Sequence, residues 1–207
     1  MQARVTGKAS CRDMSAAELR AVLAEMDRSP AARTKPRTAS RRDRLPATAH
    51  RGKLWALWLS AWNLGVVDRP TEAALCAFIK RQTGLDAAQW ARDERETAKA
   101  IEGLKAWLAR PVEKGGAGVD WSPYAAADGA AIDNPRARVL EAQWRILHAL
   151  GVVRIGDSGA LASYAGRRAG IARRISHTHL TADQAIALIT HLGQRIRKAK
   201  AADADRS

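Results

Sequence analysis

Two cysteines, two tyrosines and one phenylalanine are all that 207 residues hold of those types. Cys11 and Cys76 stand far apart in different segments, which argues against both a disulfide framework and a thiolate metal site. The apolar content is mostly Ala, Leu, Val and Ile with seven Trp, a mixture that favours helix over strand. No apolar run approaches the roughly 20 residues that a membrane span needs. Met1 is followed by polar sequence without the apolar core of a signal peptide, so the chain is expected to stay in the cytosol where it is made.

Acid is the other shortage. Lys and Arg number 35 against 21 Asp and Glu, a formal net charge of +14, and the excess is uneven. Residues 28–53 hold nine Lys/Arg against the single Asp43, and residues 136–200 hold twelve against three acids. Residues 54–110 carry eight basic and seven acidic side chains, and residues 111–135 are net acidic. A polyanion would therefore meet two separate patches.

What the chain does contain is a repeat. Sliding the sequence on itself by 86 residues lays residues 54–67 on residues 140–153 with seven of fourteen positions identical. The same offset pairs Leu75 with Leu161, Phe78 with Tyr164, Arg81 with Arg167 and Gly84 with Gly170. After a two-residue slip, Ile101 and Leu104 fall on Ile189 and Leu192. Each copy reads as three helices. Asn134 before Pro135 caps the first helix of the second copy, and Gly65 and Gly151 suit the left-handed residue that ends the first helix of each. Second helices are expected over 71–83 and 158–169, closed by Gly84 and Gly170. Third helices start at the capping boxes Asp93 with Glu96 and Thr181 with Gln184. Ala185, Ile189, Leu192 and Ile196 then recur at helical spacing. The expected fold is all-α, a duplicated three-helix unit forming two small bundles.

Around these units the composition changes. Ser15 and Glu18 form another capping box, so residues 1–28 read as a partial N-terminal helical unit. Residues 29–52, with Pro30, Pro36 and Pro46 among many Arg, Thr and Ala, lack the apolar surface to order themselves and read as a basic, disordered linker. The first unit covers 53–110, and a second flexible linker, with Gly115, Gly116 and Pro123, covers 111–134. A basic second unit covers 135–200, and 201–207 form a frayed tail.

The candidate chemistry is sparse. His177, His179 and His191 have no carboxylate or thiol at ligand spacing, so they read as solvated or capping histidines and no metal is expected. No Ser/His/Asp set or paired carboxylates can be assembled, and the glycines at 115, 116 and 118 lack the preceding strand of a phosphate cradle. Neither enzyme activity nor a cofactor is expected. Trp58 matches Trp144, which marks a shared core position. Trp55 and Trp62 instead match Glu141 and His148, so they lie outside their unit's own core. They either pack against the other unit or the N-terminal helix, or bind a protein partner or a base.

Nucleic acid is the expected ligand of the basic patches. The candidates are Arg41, Arg42 and Arg44 in the first linker; Arg167, Arg168, Arg173 and Arg174 around the turn after the second helix; and Arg195, Arg197 and Lys198 near the end of the third. A charge run is often just a solvated face, yet three acids among twelve bases leave these side chains short of internal partners. The roughly ten residues between second and third helices exceed the three- or four-residue turn of a helix-turn-helix reader. Phosphate contacts with weak sequence preference are therefore expected rather than a recognition helix.

Residues 4–19, from Arg4-Val-Thr-Gly7 through Ser15-Ala-Ala-Glu18, the Trp-rich helix from Lys53 to Gly65, the run from Glu72 to Gly84 and the closing Ala98–Leu108 together resemble the GemA regulatory family of Mu-like phages. The resemblance covers residues 4–110. It implies a small phage or prophage protein tied to altered host gene expression and to host DNA gyrase and supercoiling, and it brings no catalytic residues. The expectation is a non-enzymatic regulator, cytosolic and nucleoid-associated, that acts through DNA or a DNA-bound host protein. The alternative is a protein-interaction module that inhibits a host enzyme such as DNA gyrase without binding DNA.

Overall fold

Helix α1, Arg51–Asn63, places Leu54, Leu57, Trp58 and Ala61 on one buried face, the three- and four-residue spacing of a core-facing helix. This is a computed structural model, and it describes residues 15, 17, 18, 50–86, 93–125, 130–169 and 176–205. Helix α1 ends where Gly65 turns left-handed at φ 69°. There the Gly65 and Val66 N–H groups take up the Trp62 and Ala61 carbonyls that a helix end leaves without partners. Helix α2, Glu72–Thr83, starts at Thr71, whose hydroxyl accepts the Ala74 N–H, and stops at left-handed Gly84. Helix α3, Glu94–Ala109, starts at Asp93, whose carboxylate accepts the Arg95 N–H. Leu54, Trp58, Leu75, Phe78, Ile79, Ile101 and Leu104 of these helices form one apolar cluster. Each such side chain contributes about 1.5–3 kcal/mol when fully buried.

Helix α4, Pro135–Ala149, carries the expected Asn134 cap and N-terminal proline. It buries eight residues spread beyond a single stripe, among them Leu140, Gln143, Trp144 and Leu147. Helix α5, Ser158–Arg168, is capped by Asp157, which accepts the Ala160 N–H. Its expected stop, Gly170, lies outside the described residues. Helix α6, Ala182–Ala204, opens on the full Thr181/Gln184 capping box. The described elements are thus almost entirely helical, with one two-residue antiparallel pair, Tyr124–Ala125 on Ala131–Ile132.

Two expectations about organisation need correction. The halves do not form two separate bundles: Ala61, Leu64 and Leu108 share one apolar cluster with Leu140, Leu147, Leu161, Leu192 and Ile196. Helix α6 packs against both α4 and α1, and residues 41–207 form one compact unit. The reason is that α6 has apolar and small residues on more than the stripe facing α4. Gly193 lets the Asn63 backbone come so close that an added Cβ would stand 2.9 Å from the Asn63 Cα.

Nor is the described part of 111–134 a flexible linker throughout. The Ala117 and Val119 N–H groups both bond the Leu108 carbonyl, and the Gly118 N–H bonds that of Arg110. The Trp107 and Trp121 indoles donate to the carbonyls of Gly115 and Lys105. The stretch is ordered because it supplies donors to the open C-terminal end of α3 and buries Ala117 and Val119. In the separate unit Met1–Ser40, the Ser15 and Glu18 side chains bond each other's backbone N–H, the capping box read from sequence.

Candidate nucleic-acid interface

The basic second half divides into cations used within the fold and cations left in solvent. Arg138 lies 3.2 Å from Glu141 and 3.6 Å from Asp120, with its guanidinium 3.7 Å above the Tyr124 ring. Arg145 donates to the Gly118 carbonyl and Lys200 to that of Gly65. Arg197 is committed most completely. It stacks 3.6 Å over Trp62 and donates to the Trp62 carbonyl and Asn63 Oδ1. Burial lowers its pKa. A cation at a helix C-terminus meets the negative end of the helix dipole, and Arg197 with Lys200 does this for α1 rather than for its own helix.

Arg167, Arg168 and Lys198 are exposed, and they make no ion pair among the described residues. Arg195 is intermediate: it stands 5.8 Å over Tyr164 and reaches the Tyr164 hydroxyl and the Val152 carbonyl at 3.5 Å each. The Tyr164 hydroxyl bonds His191 Nε2 at 2.8 Å. Burial, then the charges of Arg168 and Arg195, lowers the His191 pKa.

The structure thus brings Arg167 and Arg195 to one cleft and directs Arg197 to α1. Arg41, Arg42, Arg44, Arg173 and Arg174 lie outside the described residues. Sequence reasoning missed Arg154, which is exposed in the loop before α5 and lines a cleft with Arg167 and Arg195. The signal was present in the repeat, because the offset of 86 puts Arg154 opposite Asp68, a charge reversal between copies.

Trp55 and Trp62 are both part-buried. Trp55 packs on the first apolar cluster, and Trp62 lies under Arg197 of the second half. His177, expected to be solvated or capping, is instead buried, with Nε2 3.0 Å from Glu141; the turn His177–His179 folds it onto α4. No group of three potential metal ligands occurs among the described residues, nor is any helix among them long and apolar enough to cross a membrane.

A family model described as Bacteriophage Mu, GemA protein, matches residues 1–110, just over half of the chain. No curated protein matches the chain, and no solved structure does.

Proposed function

The chain belongs to the bacteriophage Mu GemA family, and from that premise we propose that it is a phage regulatory protein that binds DNA phosphates and performs no chemistry of its own. The observation that carries this is that Arg167, Arg168 and Lys198 are all exposed and make no ion pair among the described residues. Polyvalent phosphate binding needs such cations and no particular groove fit. Regulation then follows from occupying DNA or a DNA-bound host protein in the cytosol, at the nucleoid.

The test is duplex binding by the full-length protein, followed by fluorescence anisotropy across a salt series. Affinity should fall as salt rises, and reversing Arg167, Arg168 and Lys198 to Glu should flatten the log–log slope by about 2 to 3, near 0.9 for each phosphate no longer neutralised. A protein that fails to bind at low salt, or whose slope ignores the reversal, does not hold DNA this way. Inhibition of gyrase supercoiling that survives the same reversal would instead support the protein-interaction reading.

A further inference from the structure

Helix α5 and the loop before it border an open cleft of about 630 Å3 whose lining includes Arg154, Arg167, Arg195, Trp144, Ile155 and Tyr164. We propose that this cleft takes unpaired nucleotides, so that the protein holds a single strand there with phosphates on the arginines and a base over the apolar floor. The proposal rests on the DNA-binding reading and names the form of nucleic acid it favours.

The floor is apolar and fixed. The Trp144 indole N–H donates to the Ile155 carbonyl at 2.9 Å, which folds the loop along the tryptophan's edge. The Tyr164 and Trp144 ring centres lie 5.2 Å apart, and Ile155 is 58% exposed at the lip. Three guanidinium groups stand around this floor. The one carboxylate in the lining, Asp157, is engaged in capping α5 through the Ala160 N–H.

The self-alignment locates what differs between the two halves at this cleft. In the first half, Trp107 stacks on Phe78 at 5.1 Å with the rings within 10° of parallel. The corresponding residues in the second half, at the offsets of the self-alignment, are Arg195 and Tyr164. With an arginine where the stacked indole stood, the Tyr164 ring has Trp144 and His191 as ring neighbours and a guanidinium 5.8 Å from its centre. Replacing Asp68 by Arg154 adds positive charge at the rim. A duplex presents phosphates on a convex surface with its bases already stacked inside, so it reaches the rim and leaves the floor empty. An unstacked base with its phosphates satisfies both, which is the combination that single-strand binders use.

The experiment compares a short fluorescein-labelled oligothymidylate with a duplex of the same length, using the full-length protein. Circular dichroism and thermal melting check that the variants are folded. The single strand should bind more tightly than the duplex at equal salt. Tyr164→Leu should weaken single-strand binding roughly tenfold, the effect of removing one base stack, and leave duplex affinity unchanged. Ile155→Ser, at the exposed lip, tests the floor without disturbing the core and should also weaken only the single strand. Arg154→Ala should flatten the single-strand salt slope by about 0.7.

Duplex binding with no preference for the single strand, and no response to Tyr164→Leu or Ile155→Ser, overturns the cleft proposal and leaves the DNA reading standing. Failure of both nucleic acids to bind overturns both. Polyglutamate that displaces oligothymidylate equally well at equal charge would assign the cleft to an acidic peptide and overturn the proposal.

Discussion

Gln143 is fully buried, and its side-chain amide donates to the Asn63 carbonyl at 3.0 Å and the Ile189 carbonyl at 2.9 Å. It thereby ties α1, α4 and α6 at one point. The Asn63 carbonyl is at the end of α1, where no helical N–H follows to bond it; Ile189 is inside α6, where the helix supplies its own donor. Gln143→Leu removes two hydrogen bonds, about 1 kcal/mol each, and strands the Asn63 oxygen, for a total cost of about 2–4 kcal/mol.

Gln143→Glu is the sharper perturbation, because a carboxylate facing two carbonyls has nothing to donate. The buried group folds only when protonated. At about pH 7.5 that costs roughly 1.36 kcal/mol for each unit above the ordinary 4.3, about 4 kcal/mol. Adding the second bond that a single proton cannot make brings the loss to about 5 kcal/mol, comparable with the whole stability of a small domain. The folded-state pKa is raised above the unfolded one, so stability is retained at low pH and lost as pH rises through the carboxyl range and beyond. Urea unfolding followed by tryptophan fluorescence, with each variant compared with wild type at the same pH, measures this. The deficit of Gln143→Glu should shrink towards about 1 kcal/mol near pH 4.5, while that of Gln143→Leu stays flat. Equal deficits for the two variants at neutral pH, or a Glu deficit that ignores pH, would refute the placement of this amide between two carbonyls.

Four further outcomes follow from the packing and from His191. Gly193→Ala should destabilise the protein by about 1–3 kcal/mol despite alanine's better helix propensity, because the new Cβ meets the Asn63 backbone. Gly103→Ala, whose Cβ finds only ordinary contact with Gln82 at 3.7 Å, should stabilise by about 0.5–1 kcal/mol, and thermal melting of both checks the pair. Arg197→Ala should cost roughly 1–3 kcal/mol in urea unfolding through loss of the Trp62 stack and the bonds to the end of α1, while leaving duplex affinity of the folded protein unchanged. His191 has a folded-state pKa below its usual value. The unfolded chain therefore takes up its proton first, and stability falls as pH drops through about 6.5. His191→Gln should remove that part of the slope from the urea midpoint between about pH 7.5 and 5.5.

The amino-acid sequence by itself determined most helix ends, although α1 starts at Arg51 within the stretch expected to be linker and α6 runs on to Ala204 through the stretch expected to fray. The Thr71, Asn134 and Thr181 caps and the turns at Gly65, Gly84 and Gly151 are satisfied within a few residues of chain, so neighbours in sequence suffice to read them. The repeat exposed Trp58 and Trp144 as core, and the family was legible from residues 4–110. Tertiary structure alone decided what each helix packs against and which cations remain free. Arg197, Lys198 and Lys200 are close together in sequence, yet Arg197 and Lys200 end on α1 and Lys198 in solvent. The burial of His177 against Glu141, the ordering of the stretch after α3 and the cleft of Arg154, Arg167 and Arg195 are likewise set by distant segments. A cap is a local bond, whereas the fate of a long cationic side chain depends on which carbonyl, ring or water stands opposite it, and that is known only once α6 has crossed α1.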